Sequence, residues 1–116
     1  MPVLTKAKSS YKLWHEILNN FPKVPRHTIG GKIDAQFLTT LEYIFRASMT
    51  SDTEKKLACL EASIRSLDLV KFFLQIAWEH KHIDNKKYMA LSEPIEETGR
   101  MLGGWRKGIQ SKTPAK

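Results

Sequence analysis

A chain of 116 residues, 41% of them hydrophobic, can bury one core without disulfides or metals but not two, so a single domain over residues 1–116 is expected. Its one cysteine, Cys59, excludes an internal disulfide and fits a reducing compartment, which points to the cytoplasm. No apolar block follows the N-terminal lysines, and the most apolar stretch, Leu67 to Trp78, is broken by Asp68, Lys71 and Gln75, so neither a signal peptide nor a membrane span is expected. The net charge of +7 is uneven: residues 1–33 and 98–116 each carry +5, while residues 34–97 carry −3. A basic charge held at both chain ends points to a polyanion or an acidic partner.

In chain order, the apolar spacing predicts four helices. The first spans Thr5 to Asn20, with Ala7, Tyr11, Trp14, Leu18 and Phe21 alternately four and three apart. Pro22 and Pro25 stop it, because proline lacks an N–H and drives its predecessor out of helical geometry. The second runs from Pro25, a residue tolerated in a first turn, to Ser48, with Ile29, Ile33, Phe37, Leu41, Ile44 and Ser48 inward. Ser51 and Glu54 match a capping box, so the third helix starts at Ser51 or Asp52 and ends near His80. Leu57, Leu60, Ile64, Leu67, Leu74 and Trp78 mark its seam. Leu69, Val70, Phe72, Phe73 and Ile76 spread apolar surface round the rest, which implies burial on a second side and hence an oligomer.

The fourth helix starts after Asp84, its expected cap, and carries Tyr88, Leu91, Ile95, Thr98, Leu102, Trp105 and Ile109 at strict three-four spacing. Pro94 lies inside it, where proline costs about 3 kcal/mol or more, so a bend or break is expected between Ala90 and Glu93. The ordered core is expected over residues 5–110, with a patternless flexible tail over 111–116.

Candidate chemistry is thin. Glu79 and His82 have the spacing of half a di-metal site, but no second copy exists and the pair falls at a helix end. No His or Asp is placed to activate Cys59, and Gly30-Gly31 follows no strand, so it makes no phosphate cradle. No enzyme activity, metal or cofactor is expected. The glycines of the last helix, Gly99, Gly103, Gly104 and Gly108, each cost about 1 kcal/mol relative to alanine. Their four-residue spacing suggests smooth strips for close helix packing or for a nucleic-acid contact.

Four amphipathic helices with short connections pack most simply as an all-α, antiparallel up-down-up-down four-helix bundle. That topology gathers Lys6, Lys8 and Lys12 beside Arg106, Lys107 and Lys112 at one end. Lys23, Arg26, Lys86 and Lys87 collect at the other, giving two basic ends around a mildly acidic waist.

The string Thr98-Gly-Arg-Met-Leu-Gly-Gly-Trp105, preceded by Tyr88-Met-Ala-Leu-Ser-Glu93, resembles the last helix of the Avd-type accessory proteins of diversity-generating retroelements. Phe21-Pro-Lys-Val-Pro-Arg-His-Thr-Ile-Gly30 resembles that family's first turn and the start of its second helix, and Leu67 to Ile83 its third helix. Pro94 and Lys71 depart from the pattern, an ordinary helix former and an arginine being expected there. The resemblance implies a homopentameric barrel of four-helix bundles that binds the retroelement reverse transcriptase and contacts nucleic acid, RNA or DNA, in support of mutagenic copying of a template RNA. The residues expected to bind nucleic acid or the enzyme are Lys12, Lys23, Arg26, Lys32, Arg100, Arg106 and Lys107. Those expected in oligomer or helix packing are Phe72, Phe73, Ile76, Gly99, Gly103, Gly104 and Trp105. Two other readings compete: a four-helix protein of the kind encoded in ribosomal RNA intervening sequences, and a scaffold for an acidic protein partner.

Overall fold

The ends of a helix leave backbone groups unpaired, and side-chain caps meet them at the starts of the last two helices. The computed structural model describes residues 1–112, and residues 113–116 lie outside the description. Helix α1 (Pro2–Asn19) starts before Thr5, because Pro2 sits in the first turn, where a missing N–H costs nothing. The expected second helix is divided into a short α2 (Lys23–His27) and a long α3 (Ile29–Met49). The division falls at Thr28, which adopts φ −110° and ψ −93°. This break seats Gly30 against the end of α1: a Cβ on Gly30 would stand 2.7 Å from Leu18 Cδ1 and 3.2 Å from the Pro25 carbonyl oxygen.

Helix α4 (Thr53–Glu79) is capped by Asp52, whose Oδ1 accepts from the backbone N–H of Glu54 at 3.0 Å and Lys55 at 3.3 Å. The cap is thus Asp52 rather than a box built on Ser51. Its C-terminus closes through Lys81 at φ 62°, with His82 N–H donating to the Ala77 carbonyl at 2.9 Å. This is the six-to-one bond of a Schellman ending, made here without glycine. Helix α5 (Asn85–Lys112) is capped by Asp84, which accepts from Lys87 N–H at 2.8 Å.

Of the bend or break expected between Ala90 and Glu93, the break does not occur; α5 runs through Pro94. Leu91 and Ile95, flanking the proline, are 0% and 1% exposed, and burying two such side chains contributes about 3–6 kcal/mol, enough to hold the helix through the lost hydrogen bond. The tail expectation is corrected in part, since Ser111 and Lys112 are helical, while the remainder falls on residues outside the description.

The long helices pack in chain order, α1 on α3, α3 on α4, α4 on α5, and α5 closes back on α1, in a rod of 51 × 23 × 22 Å. Cross-helix pairs such as Lys56 with Trp105, Lys71 with Glu96 and Trp78 with Tyr88 step in opposite directions along α4 and α5, as antiparallel neighbours must. The chain is the all-helical bundle its spacing implies.

The core is built from Val3, Ala7, Trp14, Ile17, Ile33, Phe37, Ile44, Leu60, Leu67, Val70, Leu74, Leu91, Ile95 and Leu102, among others. One polar link crosses it: Asp34 Oδ1 on α3 accepts from Tyr11 Oη at 2.8 Å and from Trp14 Nε1 at 3.2 Å. Burial, followed by the neighbouring Asp34 carboxylate, pushes the Tyr11 phenol up to about 12. Trp78, expected on the α4 seam, is instead 37% exposed. By that point the seam has passed to Val70 and Ala77, both fully buried, because the 3.6-residue period drifts away from a strict heptad.

Candidate functional site

The antiparallel path brings chain segments distant in sequence to two ends. At the first end lie the start of α1, the α3–α4 turn and the last turns of α5, where Lys56 Nζ stands 5.9 Å from the Trp105 ring. At the second, the α1–α2 and α4–α5 turns meet through a ring contact of 6.0 Å between Phe21 and His82. Three ion pairs are present among the described residues: Arg46 with Glu42, Lys71 with Glu96, and Arg100 with Glu97.

The sequence-predicted binding residues divide accordingly. Lys23 and Lys32 sit at the second end, exposed and outside any ion pair among the described residues. Arg26 is there too, but its Nη2 donates to the carbonyls of Asn19 at 3.2 Å and Phe21 at 3.0 Å, so its charge caps α1 from within. Lys107 is exposed at the first end beside Arg106, which is half-buried with its Nε enclosed and unbonded. Arg100 is held by Glu97 at 2.6 Å. Lys12 belongs to neither end: it lies beyond the midpoint of α1, exposed, because ten residues of helix carry it about 15 Å from the helix start. A groove of about 820 Å³ between α1 and α5 mixes Lys6 and Arg100 with Glu93 and Glu97 and so has no single sign of charge.

The packing residues divide as well. Gly99 faces α4, where a Cβ would lie 3.1 Å from Lys71 Nζ and 3.7 Å from Leu67 Cδ2. Lys71 itself bonds to Glu96 at 3.5 Å, so this departure from the family pattern is used within the subunit. Gly103, Gly104 and Gly108 face open space within the subunit. Trp105 is half-buried beneath Lys56. On α4, Phe72 is 56% and Leu69 41% exposed, while Phe73 and Ile76 are partly covered.

Sequence reasoning missed two features. Leu38, Phe45 and Met49, seven and four apart, form an exposed apolar stripe on α3, visible in their spacing but overlooked beside the stronger inward set. At the second end, Trp78 and Tyr88 stack at 4.7 Å with an interplanar angle of 6°. The position of Trp78 in the last turn of α4, next to the polar run His80 to His82, was the signal for its exposure. Among the described residues, no three His, Cys, Asp or Glu side chains converge as metal ligands, and no helix is long and apolar enough to cross a membrane.

With this geometry in view, the comparisons are specific. The family model described as bAvd-like matches residues 3–109. The chain belongs to the bAvd-like family. No curated protein matches it. A crystal structure of a protein of unknown function from the S23 ribosomal protein family, from Bacteroides thetaiotaomicron VPI-5482, superposes with a TM-score of 0.76 at 13% identity, covering 92% of this chain and 99% of that one. At that identity the likeness is one of fold. The bAvd-like match takes in all four long helices apart from the first residue of α1 and the last three of α5.

Proposed function

We propose that this bAvd-like chain is a non-enzymatic accessory protein of a diversity-generating retroelement. It acts in the cytoplasm, binding the reverse transcriptase and nucleic acid through its basic ends. The observation that carries the reading is the set of bases at both ends that form no ion pair among the described residues: Lys23 and Lys32 at one, Arg106 and Lys107 at the other. Unpaired surface cations of one sign attract a polyanion and release its counterions on contact. Assembly into a homo-oligomer, a pentamer in this reading, is supported by Phe72 and Leu69 on α4, uncovered in the subunit, and by the open glycines of α5.

The experiment is co-purification with a retroelement reverse transcriptase, combined with RNA binding measured against salt. Contacts to about six phosphates give a log-log slope near −4 to −5; a flat line would reject the basic ends as the docking surface and leave a scaffold for an acidic protein. Replacing Arg100, Arg106 and Lys107 together by alanine should weaken binding while the melting temperature holds within a few degrees, because an exposed pair such as Arg100 with Glu97 contributes about 1 kcal/mol or less.

A further inference from the structure

The second end carries an arrangement that general basicity does not explain. Trp78 and Tyr88 come from the last turn of α4 and the first turn of α5, and their rings lie parallel at 4.7 Å. The indole N–H donates to Asn85 Oδ1 at 2.6 Å, so the ring is fixed by its nitrogen and by one face. Tyr88 stacks on that face, and Trp78 as a whole remains 37% exposed. Lys81, Lys86 and Lys87 lie within the same turn and helix start, all exposed and none in an ion pair among the described residues, Lys87 on the side of α5 that borders Leu13 and Glu16 of α1. The contact between Phe21 and His82 brings Lys23 and Lys32 to the same end. The acids nearby are Glu16, Glu79 and Asp84, and Asp84 is occupied in capping α5.

A fixed, half-open aromatic ring bordered by unpaired lysines is the combination that holds an unpaired base: the ring stacks on the base and the lysines meet the flanking phosphates. We propose that the Trp78–Tyr88 pair is a stacking platform for an unpaired nucleotide of single-stranded nucleic acid, with Lys81, Lys86 and Lys87 on its phosphates. The inference rests on the nucleic-acid reading above and adds to it a strand preference. A duplex keeps its bases stacked on one another and offers this ring only its backbone, so the platform discriminates single strands from duplexes. Because the indole is already immobilised, little side-chain entropy is lost on binding.

The test uses the full chain with three probes, short oligo-rU, short oligo-dT and a hairpin duplex of equal charge, and measures affinity against salt for the wild type, Trp78→Leu and Trp78→Phe. Trp78→Leu should weaken both single strands roughly tenfold, leave the duplex unchanged, and leave the salt slope unchanged. Trp78→Phe keeps a stacking face and should retain most of the affinity. Lys86→Ala with Lys87→Ala should instead flatten the single-strand slope by about 0.7 per lysine. The fluorescence of 2-aminopurine placed in the strand should fall on binding to the wild type and recover with Trp78→Leu. Equal losses for strand and duplex, or a Phe variant as weak as the Leu variant, would overturn the platform while leaving nucleic-acid binding intact. No binding of any probe by the wild type would overturn both.

Discussion

The two ends of the bundle share a charge and differ in construction. At the second end the backbone is held at every turn: Arg26 caps α1, Gly30 lies against Leu18, Phe21 touches His82, and the α4–α5 turn closes through Lys81 at φ 62°. At the first end the last turns of α5 carry Gly103, Gly104 and Gly108 with open space beside each. The same residue type therefore has opposite meanings. A Cβ at Gly30 would press on Leu18 Cδ1 and the Pro25 carbonyl, whereas Gly103, Gly104 and Gly108 reduce helix stability with nothing of the subunit close beside them among the described residues. One end is tied together by contacts between its turns; at the other, α5 holds Leu102, Trp105 and Ile109 on the core while its last three glycines meet nothing.

Substitutions at the second end should be the more damaging. Gly30→Ala places a Cβ against both a side chain and the Pro25 carbonyl, and overpacking of this kind costs about 1–3 kcal/mol, read as a lower urea midpoint. Arg26→Ala removes two charge-assisted bonds, to the carbonyls of Asn19 at the end of α1 and Phe21 in the turn beyond it, a loss of about 1.5–3 kcal/mol. Lys23→Ala, a few residues away, should leave stability unchanged and weaken nucleic-acid binding. If Arg26→Ala lowered binding but not stability, the cap would be incidental and the charge free for a partner.

Between the two ends, the Tyr11–Asp34–Trp14 link gives a pH signature. The folded protein holds the Tyr11 proton up to about pH 12, whereas the unfolded chain loses it near pH 10. In that window the native state binds more protons, so this contribution to stability is complete below about pH 10 and is lost as pH rises toward 12. Tyr11→Phe should remove that component of the alkaline decline, measured as the difference between the two pH profiles.

The bundle was legible because Trp14, Phe37, Ile44, Leu60, Leu91 and Leu102 recur at helical intervals with little to contradict them, and Asp84 was readable as a cap from its place before a periodic run. The split at Thr28 was not legible, since Ile29 and Ile33 continue the period of the preceding residues, and only the approach of α1 to Gly30 dictates the break. Pro94 misled for a related reason: a local rule predicts a break, and the burial of Leu91 and Ile95 overrides it. For the candidate site, sequence located the bases but not their engagements. Whether Arg26 faces solvent or its own backbone, and whether Trp78 is on the seam or just off it, depends on where a neighbouring helix ends, which spacing along one helix does not encode.

The α5 glycines supply the smallest effect and the one that separates folding from assembly. Gly104→Ala adds a methyl group where no atom of the subunit lies within 4 Å, so only helix propensity acts, and the subunit should gain up to about 1 kcal/mol. Measured on dilute protein, that gain would appear as a slightly higher urea midpoint. If the strip is where a second backbone approaches, the same methyl intrudes there, and the oligomer seen by light scattering at higher concentration should weaken even as the subunit strengthens. Gly30→Ala cannot show that divergence, because its clash lies within the subunit and lowers both together. A Gly104→Ala protein that is more stable and assembles as before would mean that the glycines serve flexibility of the helix end rather than contact.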